Sequence, residues 1–443
     1  MSIPERVQSM NSGYRNMTRN ALLGAIVEFR LFSDILFAGG EQTEYGDGDS
    51  IAIVGGELFN KGAQAMTFTV VDQMTKRYPE KDIYLLSRRD YERDPKEKAQ
   101  YEFEILPWDS EVQMSLLSPD LDVVNTKQLS RHDREKVRNV FTNCEMLIDI
   151  NGFALSSQMG LKRSFTYLVN ILLAKEYDIP MFIFPQSIGP FDYSTGVKHA
   201  FNPLIQTYLT YPEIVCPREQ AGVKALAPYT RSNVQREFDI VLQTEGYDLD
   251  NVYATDPDFE YKSLNADAVG IVPNSKVFDR GDDDEIYSLY EAAIEELLDA
   301  GKTVYVFRHS IEDLDHCQEI KNRFSETEAV QLFEEDFNAP ELEHIIEQCD
   351  FLIASRYHSI VHAYKHVVPV IAIGWAVKYR ELLSKFRQSD YFFEGREQID
   401  VDALVSTVEQ MNDRWEDETM TLRETLDTVQ QNNLFSRLFT NTA

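Results

Sequence analysis

The sequence predicts an α/β protein with two doubly wound, Rossmann-like domains. Short apolar runs that suit buried strands alternate with segments in which apolar residues recur at helical spacing, and this alternation is typical of parallel sheets covered by helices. The pattern occurs from about 48 to 245 and again from 266 to 390, with a polar, loop-rich linker at 246–265 between them. The length of 443 residues also favours more than one domain.

The first array of strands and helices contains five apolar runs that we interpret as strands. The run IAIV after Ser50 leads into Gly55-Gly56 and then into a helical pattern, which is a strand–turn–helix opening. The later runs lie in DIYLLSRR, MLIDINGFAL, MFIFPQSIGPF and EIVCPREQAGVKAL, and LKRSFTYLVNILLAKEYDIP predicts a helix that ends before Pro180. Because ligands bind beyond the carboxyl ends of strands in such sheets, polar residues after these runs are candidate site residues.

The second array repeats the pattern. AVGIVPN, KTVYVFRHS, FLIASRYHS and VPVIAIGW predict strands, and EIYSLYEAAIEELLDAG predicts an amphipathic helix that ends at Gly301. Residues 391–443 predict C-terminal helices. Residues 1–47 predict a helical N-terminal extension, in which the order of basic and apolar residues is not that of a signal peptide.

The charge balance limits the possible ligands. Lysine and arginine number 43 against 74 aspartate and glutamate residues, which gives a formal charge of −31. Such a surface repels nucleic acid and anionic bilayers, since both require a basic face. A site for an anionic ligand must therefore be a local cluster of cations and backbone N–H groups. The four cysteines form no C-x-x-C pair, which fits a reducing compartment, and we expect a soluble, cytoplasmic protein.

Arginine and histidine stand at the end of one predicted strand in the second array. Arg356 and His358 follow FLIAS, and on an extended exit their side chains can point to the same side. Arginine grips carboxylate or phosphate with two hydrogen bonds, and histidine can exchange a proton near neutral pH. Arg218 stands at a similar strand-to-helix junction of the first array, so two arginines can clamp a doubly charged ligand. The alternative is that each arginine only pairs with a surface carboxylate.

Further polar residues near strand ends are candidates for acceptor or loop contacts. The segment GGELFNKGAQAM begins a helix whose free N–H groups can bind an anion, although its spacing matches neither the P-loop nor the dinucleotide fingerprint. A carboxylate after a strand can exchange protons, and a carboxylate or an amide can bind sugar hydroxyls. Either group can also be structural. These candidates are Asn60, Gly62, Asp149, Asn151, Gly189, Arg308 and His309.

Three histidines at four-residue spacing raise a metal alternative. His358, His362 and His366 share one face if the segment is helical. The segment contains neither an H-E-x-x-H arrangement nor a cysteine at useful spacing, and the apolar neighbours of His362 and His366 favour a packed helix. We therefore predict no metal at these histidines.

Five segments together carry a resemblance to a known family: GGELFNKGAQAM, IDINGFAL, PQSIGPF, CPREQAG and SRYHSIVHAYKHVVPVIAIGWAVKY. They resemble the polysaccharide pyruvyl transferase family from about Ser50 to Lys378. The last segment is the most specific, because it has the family's order of arginine, histidine and serine, then a helix, a proline-containing strand and a lysine. The residues in that order are Arg356, His358, Ser359, Pro369 and Lys378.

The resemblance implies a fold similar to two-domain glycosyltransferases of the GT-B type. It also implies transfer of pyruvate from phosphoenolpyruvate to a saccharide as a ketal, in exopolysaccharide or cell-wall polysaccharide biosynthesis, without a cofactor or metal. Carried over to this sequence, the residues that hold the donor and act on it are Arg218, Arg356 and His358. Ser359 and Lys378 join them as donor-binding residues.

Two alternatives stay open. One is a nucleotide-sugar glycosyltransferase on the same fold, which would bind a diphosphate with the same cations. The other is a non-catalytic saccharide-binding member, because Ala63 stands where the family often has aspartate. The sequence also leaves open the acceptor sugar, whether the acceptor is lipid-linked or polymeric, and whether the chain forms a homo-oligomer.

Overall fold

A computed structural model describes residues 48–117, 130–279 and 281–439. The predicted N-terminal extension lies outside the described residues. Within them, twelve strands form two parallel six-stranded sheets. The strands are β1 (Ser50–Val54), β2 (Asp82–Leu86), β3 (Glu104–Leu106), β4 (Cys144–Asp149), β5 (Met181–Gln186), β6 (Ile214–Pro217), β7 (Ala268–Val272), β8 (Thr303–Phe307), β9 (Val330–Phe333), β10 (Phe351–Ala354), β11 (Val370–Gly374) and β12 (Phe392–Glu394).

Both sheets have the same strand order. The first runs β3-β2-β1-β4-β5-β6 and the second β12-β11-β10-β7-β8-β9, so each follows the order 3-2-1-4-5-6 of a Rossmann domain. The predicted pair of doubly wound domains is thereby confirmed. The sequence patterns missed the edge strands β3, β9 and β12, because these short strands are only partly buried and contain no continuous apolar run. Strand β12 joins the second sheet although it lies within the segment predicted to be helical, 391–443.

Helices connect the strands and cover both sheets. They are α1 (Lys61–Arg77), α2 (Arg88–Tyr91), α3 (Pro95–Lys98), α4 (Ser110–Leu117), α5 (Arg131–Thr142), α6 (Leu161–Glu176), α7 (Thr195–Tyr208), α8 (Gln220–Leu226), α9 (Ser275–Phe278), α10 (Asp283–Asp299), α11 (Leu314–Arg323), α12 (Ala339–Ile346), α13 (Tyr357–Lys365), α14 (Val377–Lys385), α15 (Val401–Gln431) and α16 (Leu434–Leu438). In the described part of the chain, none of these helices is both long and apolar enough to cross a membrane.

The central strands are buried on both faces, which explains their continuous Val, Ile and Leu runs. One hydrophobic core continues from the first domain into the second: it contains Ile53 and Ile150 from the first and Ala354 and Ile360 from the second. The carboxyl ends of the two sheets therefore approach each other, and the residues that follow the strands meet between the domains.

The last two helices connect the domains again. Helix α15 packs against α10 of the second domain, and its end contacts the turn Ile240–Gln243 of the first. The ring of Phe435 in α16 packs against Phe184, and the ring of Phe439 just after α16 packs against Phe182, with centroids 5.5 and 5.1 Å apart. The chain thus returns to the first sheet, and this return ties the two domains together.

Candidate active site

The starts of helices α1 and α13 meet across the two domains. Asn60 caps α1, because its side-chain oxygen accepts the N–H groups of Gly62 and Ala63. A Cβ atom at Gly62 would lie 2.1 Å from Cγ of His358. Only glycine permits this approach, so Gly62 serves here to make room for the imidazole.

Arg218 follows β6 and is buried between the domains. One guanidinium nitrogen, Nη1, pairs with the carboxylate of Asp239, and the other, Nη2, donates to the carbonyl of Gly152 at 2.8 Å and to Ser187 Oγ at 3.0 Å. Burial lowers the pKa of Arg218, but Tyr357 and Asp239 outweigh that effect and the pKa is raised. The side chain therefore stays charged although only 2% of it is exposed.

The Tyr357 ring brings two cations together. The Arg218 guanidinium lies 4.8 Å from the ring centroid, and the ammonium of Lys378, at the start of α14, lies at the same distance of 4.8 Å. Among the described residues, the half-buried Lys378 has no hydrogen bond or ion pair. Burial and the charge of Arg218 lower the pKa of Lys378 to about 8. This lysine is thus a cation that an anion could pair with.

His358 stands beside the same ring. Its Nε2 atom lies 3.8 Å from Oδ2 of Asp239 and has no hydrogen-bond partner in the described part of the chain. Burial, together with the charges of Arg218 and Lys378, lowers the pKa of His358 well below its ordinary value. The imidazole is therefore neutral at pH 7, and the approach of a negative group would raise its pKa.

Two carboxylates of the second domain hold Arg356. The predicted extended exit reaches only as far as Arg356, which is the extended N-cap of α13, because the helix begins at Tyr357 and already contains His358. Nε of Arg356 donates to Asp313 at 2.8 Å, and Nη2 contacts Asp313 and Glu312. Although burial lowers the pKa of Arg356, its hydrogen bonds and charge pairing with these carboxylates raise it overall. The charge of Arg356 still acts on Lys378.

Two further predicted residues flank this centre. Arg308 donates to the carbonyl of Glu335 at 3.2 Å and lies 3.9 Å from Asp336, and Lys61 of the first domain pairs with the same Asp336 at 3.1 Å. His309 is buried, and its Nε2 atom finds no hydrogen-bond partner among the described residues. Burial lowers the pKa of His309 well below its ordinary value.

The remaining predicted residues are engaged in holding the fold. The carboxylate of Asp149 is fully buried and accepts hydrogen bonds from Asn151 and Gln186. Burial raises the pKa of Asp149. The hydroxyl of Ser359 donates to the carbonyl of Arg356 at 2.6 Å. Gly189 has a φ of +76°, which favours glycine in that turn.

His362 and His366, the other two of the three histidines at four-residue spacing, contact a common carboxylate. Nδ1 of His362 lies 2.9 Å from Glu343, and Nε2 of His366 lies 3.4 Å from the same group. The ammonium of Lys365 also pairs with Glu343 at 2.8 Å. Burial favours the neutral acid, yet Lys365 and His362 outweigh it and hold the pKa of Glu343 well below its ordinary value. These interactions lie behind His309, whose ring centroid is 5.4 Å from that of His362.

Sequence reasoning missed Asp239 and Tyr357. Asp239 lies in the polar segment after β6, in REFDI, where nothing in the spacing distinguishes it from other surface carboxylates. Tyr357 stands between the two residues that the prediction named, but an aromatic residue at that position suggests core packing. Only the meeting of two domains makes the tyrosine a shared platform for Arg218 and Lys378.

Comparison with known structures gives weak likenesses of the overall shape. The UDP-GlcNAc 2-epimerase from Methanocaldococcus jannaschii has 10% identity and a TM-score of 0.49, over 81% of this chain and 92% of that one. Arabidopsis thaliana UGT89C1 in complex with quercetin has 10% identity and a TM-score of 0.49, over 86% and 94%. The UDP-GlcNAc 2-epimerase from Neisseria meningitidis bound to UDP-GlcNAc has 10% identity and a TM-score of 0.48, over 86% and 100%.

No curated protein matches this chain significantly in sequence. The family model described as polysaccharide pyruvyl transferase matches residues 60–376. The match covers most of both sheets and includes Gly62, Arg218 and His358, and it ends two residues before Lys378. The chain belongs to the polysaccharide pyruvyl transferase family.

Proposed function

We propose that the protein transfers pyruvate from phosphoenolpyruvate to two hydroxyl groups of a saccharide, as a ketal. The observation that carries the proposal is the pair of cations, Arg218 and Lys378, that share the Tyr357 ring beside His358. Family membership supports a transferase, and the cation pair supports a small donor with more than one negative charge. Phosphoenolpyruvate carries both a carboxylate and a phosphate.

Charge is the main support for this donor. The chain has a formal charge of −31, so its surface offers an anion little attraction. At the start of α14, however, the ammonium of Lys378 is unpaired within the described residues, and Arg218 and Arg356 add their fields to it. We assign Lys378 and His358 to direct contact with the donor. Arg218 and Arg356 neutralise charge as it moves, and their carboxylate partners hold them in place.

The reaction has two steps in this proposal. A proton adds to the methylene carbon of phosphoenolpyruvate, while one saccharide hydroxyl bonds to C2 and loses its proton. The C2–O bond to phosphate then breaks, with its electron pair leaving on phosphate. A second hydroxyl bonds to C2 and loses its proton, which closes the ketal. The products are the pyruvylated saccharide and inorganic phosphate.

His358 is suited to the proton transfers. In the absence of ligand its imidazole is neutral, since burial and the nearby cations lower its pKa. The phosphate of the donor would raise that pKa, so the ring can take a proton from the attacking hydroxyl and return it to the leaving phosphate. Asp239, 3.8 Å from Nε2, stabilises the protonated ring.

Phosphate release tests the proposal. Purified protein is incubated with phosphoenolpyruvate and a panel of saccharides, and inorganic phosphate and the mass of the ketal are measured. His358→Ala and Lys378→Ala should each lower kcat/KM by about 100-fold or more. The exposed His199 and Lys198, whose side chain is 43% exposed, supply the matched controls, and His199→Ala and Lys198→Ala should leave the rate unchanged.

Thermal stability in the presence of donors separates this function from the alternatives. Phosphoenolpyruvate should raise Tm, and a UDP-sugar should not. Stabilisation by the UDP-sugar alone would instead support a glycosyltransferase. Normal turnover in the His358→Ala variant would refute the assignment of that residue.

A further inference from the structure

A separate cavity opens beside the proposed donor site, in the first domain. It has a volume of about 240 Å³ and lies at the carboxyl ends of β1, β2 and β4. Its wall includes Gly55, Asn151 and Trp108. None of the residues assigned to the donor lines this cavity, so it is free for a second ligand.

Hydrogen bonds and an ion pair hold the cavity wall in one shape. The buried carboxylate of Asp90 accepts the N–H of Leu58 at 3.2 Å and pairs with Arg93 at 3.0 Å, which fixes the turn after β1 against α2. On the opposite wall, Asn170 Oδ1 accepts from the indole N–H of Trp108 at 3.2 Å. These contacts hold the walls without any ligand, as expected for a preformed site.

Polar and aromatic groups suited to a sugar line the interior. Trp108 is half-buried and offers indole surface to the cavity, and one of its faces is covered by Phe141 at a centroid distance of 5.3 Å. Asn151 and Asn170, which carry side-chain amides, also line the interior. An aromatic surface beside amide side chains suits a ring that carries hydroxyl groups.

The rim of the cavity is positively charged. Arg88, Arg89 and Arg163 line it together with the carboxylate of Glu57, and Arg88 also pairs with Glu92 at 3.4 Å. Arg89 lies 3.8 Å from Glu57, and the side chain of Arg89 is 61% exposed. Burial raises the pKa of Glu57, and the charge of Arg89 opposes that rise. The exposed Arg163 has no hydrogen bond or ion pair within the described part of the chain. On a chain with a charge of −31, three arginines at one opening point to an anionic ligand.

The cavity and the donor site share a boundary at Asn151 and Gly152. Asn151 lines the cavity, and a Cβ atom at Gly55 would lie 2.3 Å from its amide nitrogen. The carbonyl of the next residue, Gly152, accepts the hydrogen bond of Arg218 at 2.8 Å. A ligand in the cavity is therefore separated from the Arg218 region by one turn of chain.

We propose that this cavity binds the acceptor, and that the acceptor is a saccharide that carries an anionic group. This rests on the proposed function for the identity of the reaction, but the binding itself does not require it. The sugar ring lies against Trp108, and its anionic group meets Arg89 and Arg163. A phosphate ester and a sugar carboxylate supply the same charge at this rim.

Calorimetric titration of the full chain, without phosphoenolpyruvate, tests the proposal. The probes are glucose 1-phosphate, glucuronate, neutral glucose and inorganic phosphate. We expect glucose 1-phosphate or glucuronate to bind at least about tenfold more tightly than glucose, because a charge-assisted hydrogen bond contributes about that factor. The tighter of the two identifies phosphate or carboxylate as the preferred group.

Variants locate the binding. Arg163→Gln and Arg89→Gln should each weaken the charged sugar by about tenfold and leave glucose unchanged. Arg231→Gln, at an exposed arginine outside the cavity, is the control and should bind as the parent does. Equal affinity of glucose and the charged sugars, no binding of any sugar, or no effect of either cavity variant would overturn the proposal. Inorganic phosphate binding as tightly as glucose 1-phosphate would also overturn it, since the ring would then contribute nothing.

The same experiment separates this proposal from the proposed function. Charged sugars that bind through Arg163, in a protein that releases no phosphate from phosphoenolpyruvate, would refute the reaction and leave the cavity as a saccharide site. If phosphate is released with an acceptor whose affinity is unchanged by Arg163→Gln and Arg89→Gln, the cavity is not the acceptor site, and the proposed reaction stands.

Discussion

Replacing Gly62 by alanine tests whether the two domains place the imidazole of His358. The added Cβ would lie 2.1 Å from Cγ and 2.3 Å from Nδ1 of His358. Carbon atoms pack at about 3.5–4 Å, so one of the two groups must move by more than about 1 Å. The cap at Asn60 and the ion pair of Lys61 with Asp336 hold the start of α1, and we therefore expect the ring to move.

The expected effect on stability is moderate. Extra volume in a packed interior costs about 1–3 kcal/mol. Alanine in a helix is favoured over glycine by up to about 1 kcal/mol, and this gain offsets part of the clash. The Gly62→Ala variant should thus lose about 1–2 kcal/mol of unfolding free energy. Its effect on catalysis should be larger, because a displacement of about 1 Å in a reacting group costs on the order of 100-fold in rate.

Urea unfolding followed by circular dichroism measures the first effect, and phosphate release measures the second. Gly196→Ala is the matched control, since nothing lies within 4 Å of a Cβ atom at that helical position. It should leave the rate unchanged and should not destabilise the protein.

A double-mutant cycle decides whether His358 is the obstacle. In a His358→Ala background the imidazole is gone and only the Cβ of residue 358 stays close, at 2.6 Å, so Gly62→Ala should destabilise the protein less than it does in the parent. An equal loss of stability in both backgrounds would refute the reasoning, and so would a Gly62→Ala variant with full activity. The stability arm of the cycle holds whatever the reaction is.

Three further predictions concern charge. Burial lowers the pKa of Lys378 to about 8, so the ammonium that binds the anion is lost at higher pH. The KM for phosphoenolpyruvate should therefore rise about tenfold per pH unit above about pH 8. A KM that stays constant up to about pH 9.5 would contradict this. Glu343→Gln should lower the unfolding free energy measured in urea by about 3–5 kcal/mol, because it leaves the buried ammonium of Lys365 unpaired. The control Glu347→Gln, at the surface, should lower it by less than about 1 kcal/mol. The carboxylate of Glu381 accepts two N–H groups at the start of α8, across the domain boundary, at 2.6 and 3.2 Å. Glu381→Ala should therefore lower the unfolding free energy by about 1 kcal/mol. An unchanged unfolding midpoint would exclude this cap.

Local patterns predicted the architecture well, because each buried central strand is an apolar run bounded by polar residues. The run IAIV became β1 and FLIA became β10, with the predicted polar exits at their carboxyl ends. The short edge strands β3, β9 and β12 went unpredicted, since none of them is a continuous buried apolar run. The extended exit predicted for Arg356 to His358 ends at Arg356, because α13 begins at Tyr357.

The sequence by itself determined the two doubly wound domains, the family, and the residue types available to bind an anion in an acidic chain. Those properties depend on short-range periodicity and on motifs that are contiguous in the chain. The tertiary structure alone decided which cations are held by carboxylates and which is available: Arg218 is paired with Asp239 and Arg356 with Asp313, whereas Lys378 is unpaired within the described residues. The tertiary structure also explains why residue 62 must be glycine, since the imidazole of His358, from the other domain, occupies the place of a Cβ atom. Partners so far apart in the chain leave no local pattern, and only the packing of the two sheets brings them into contact.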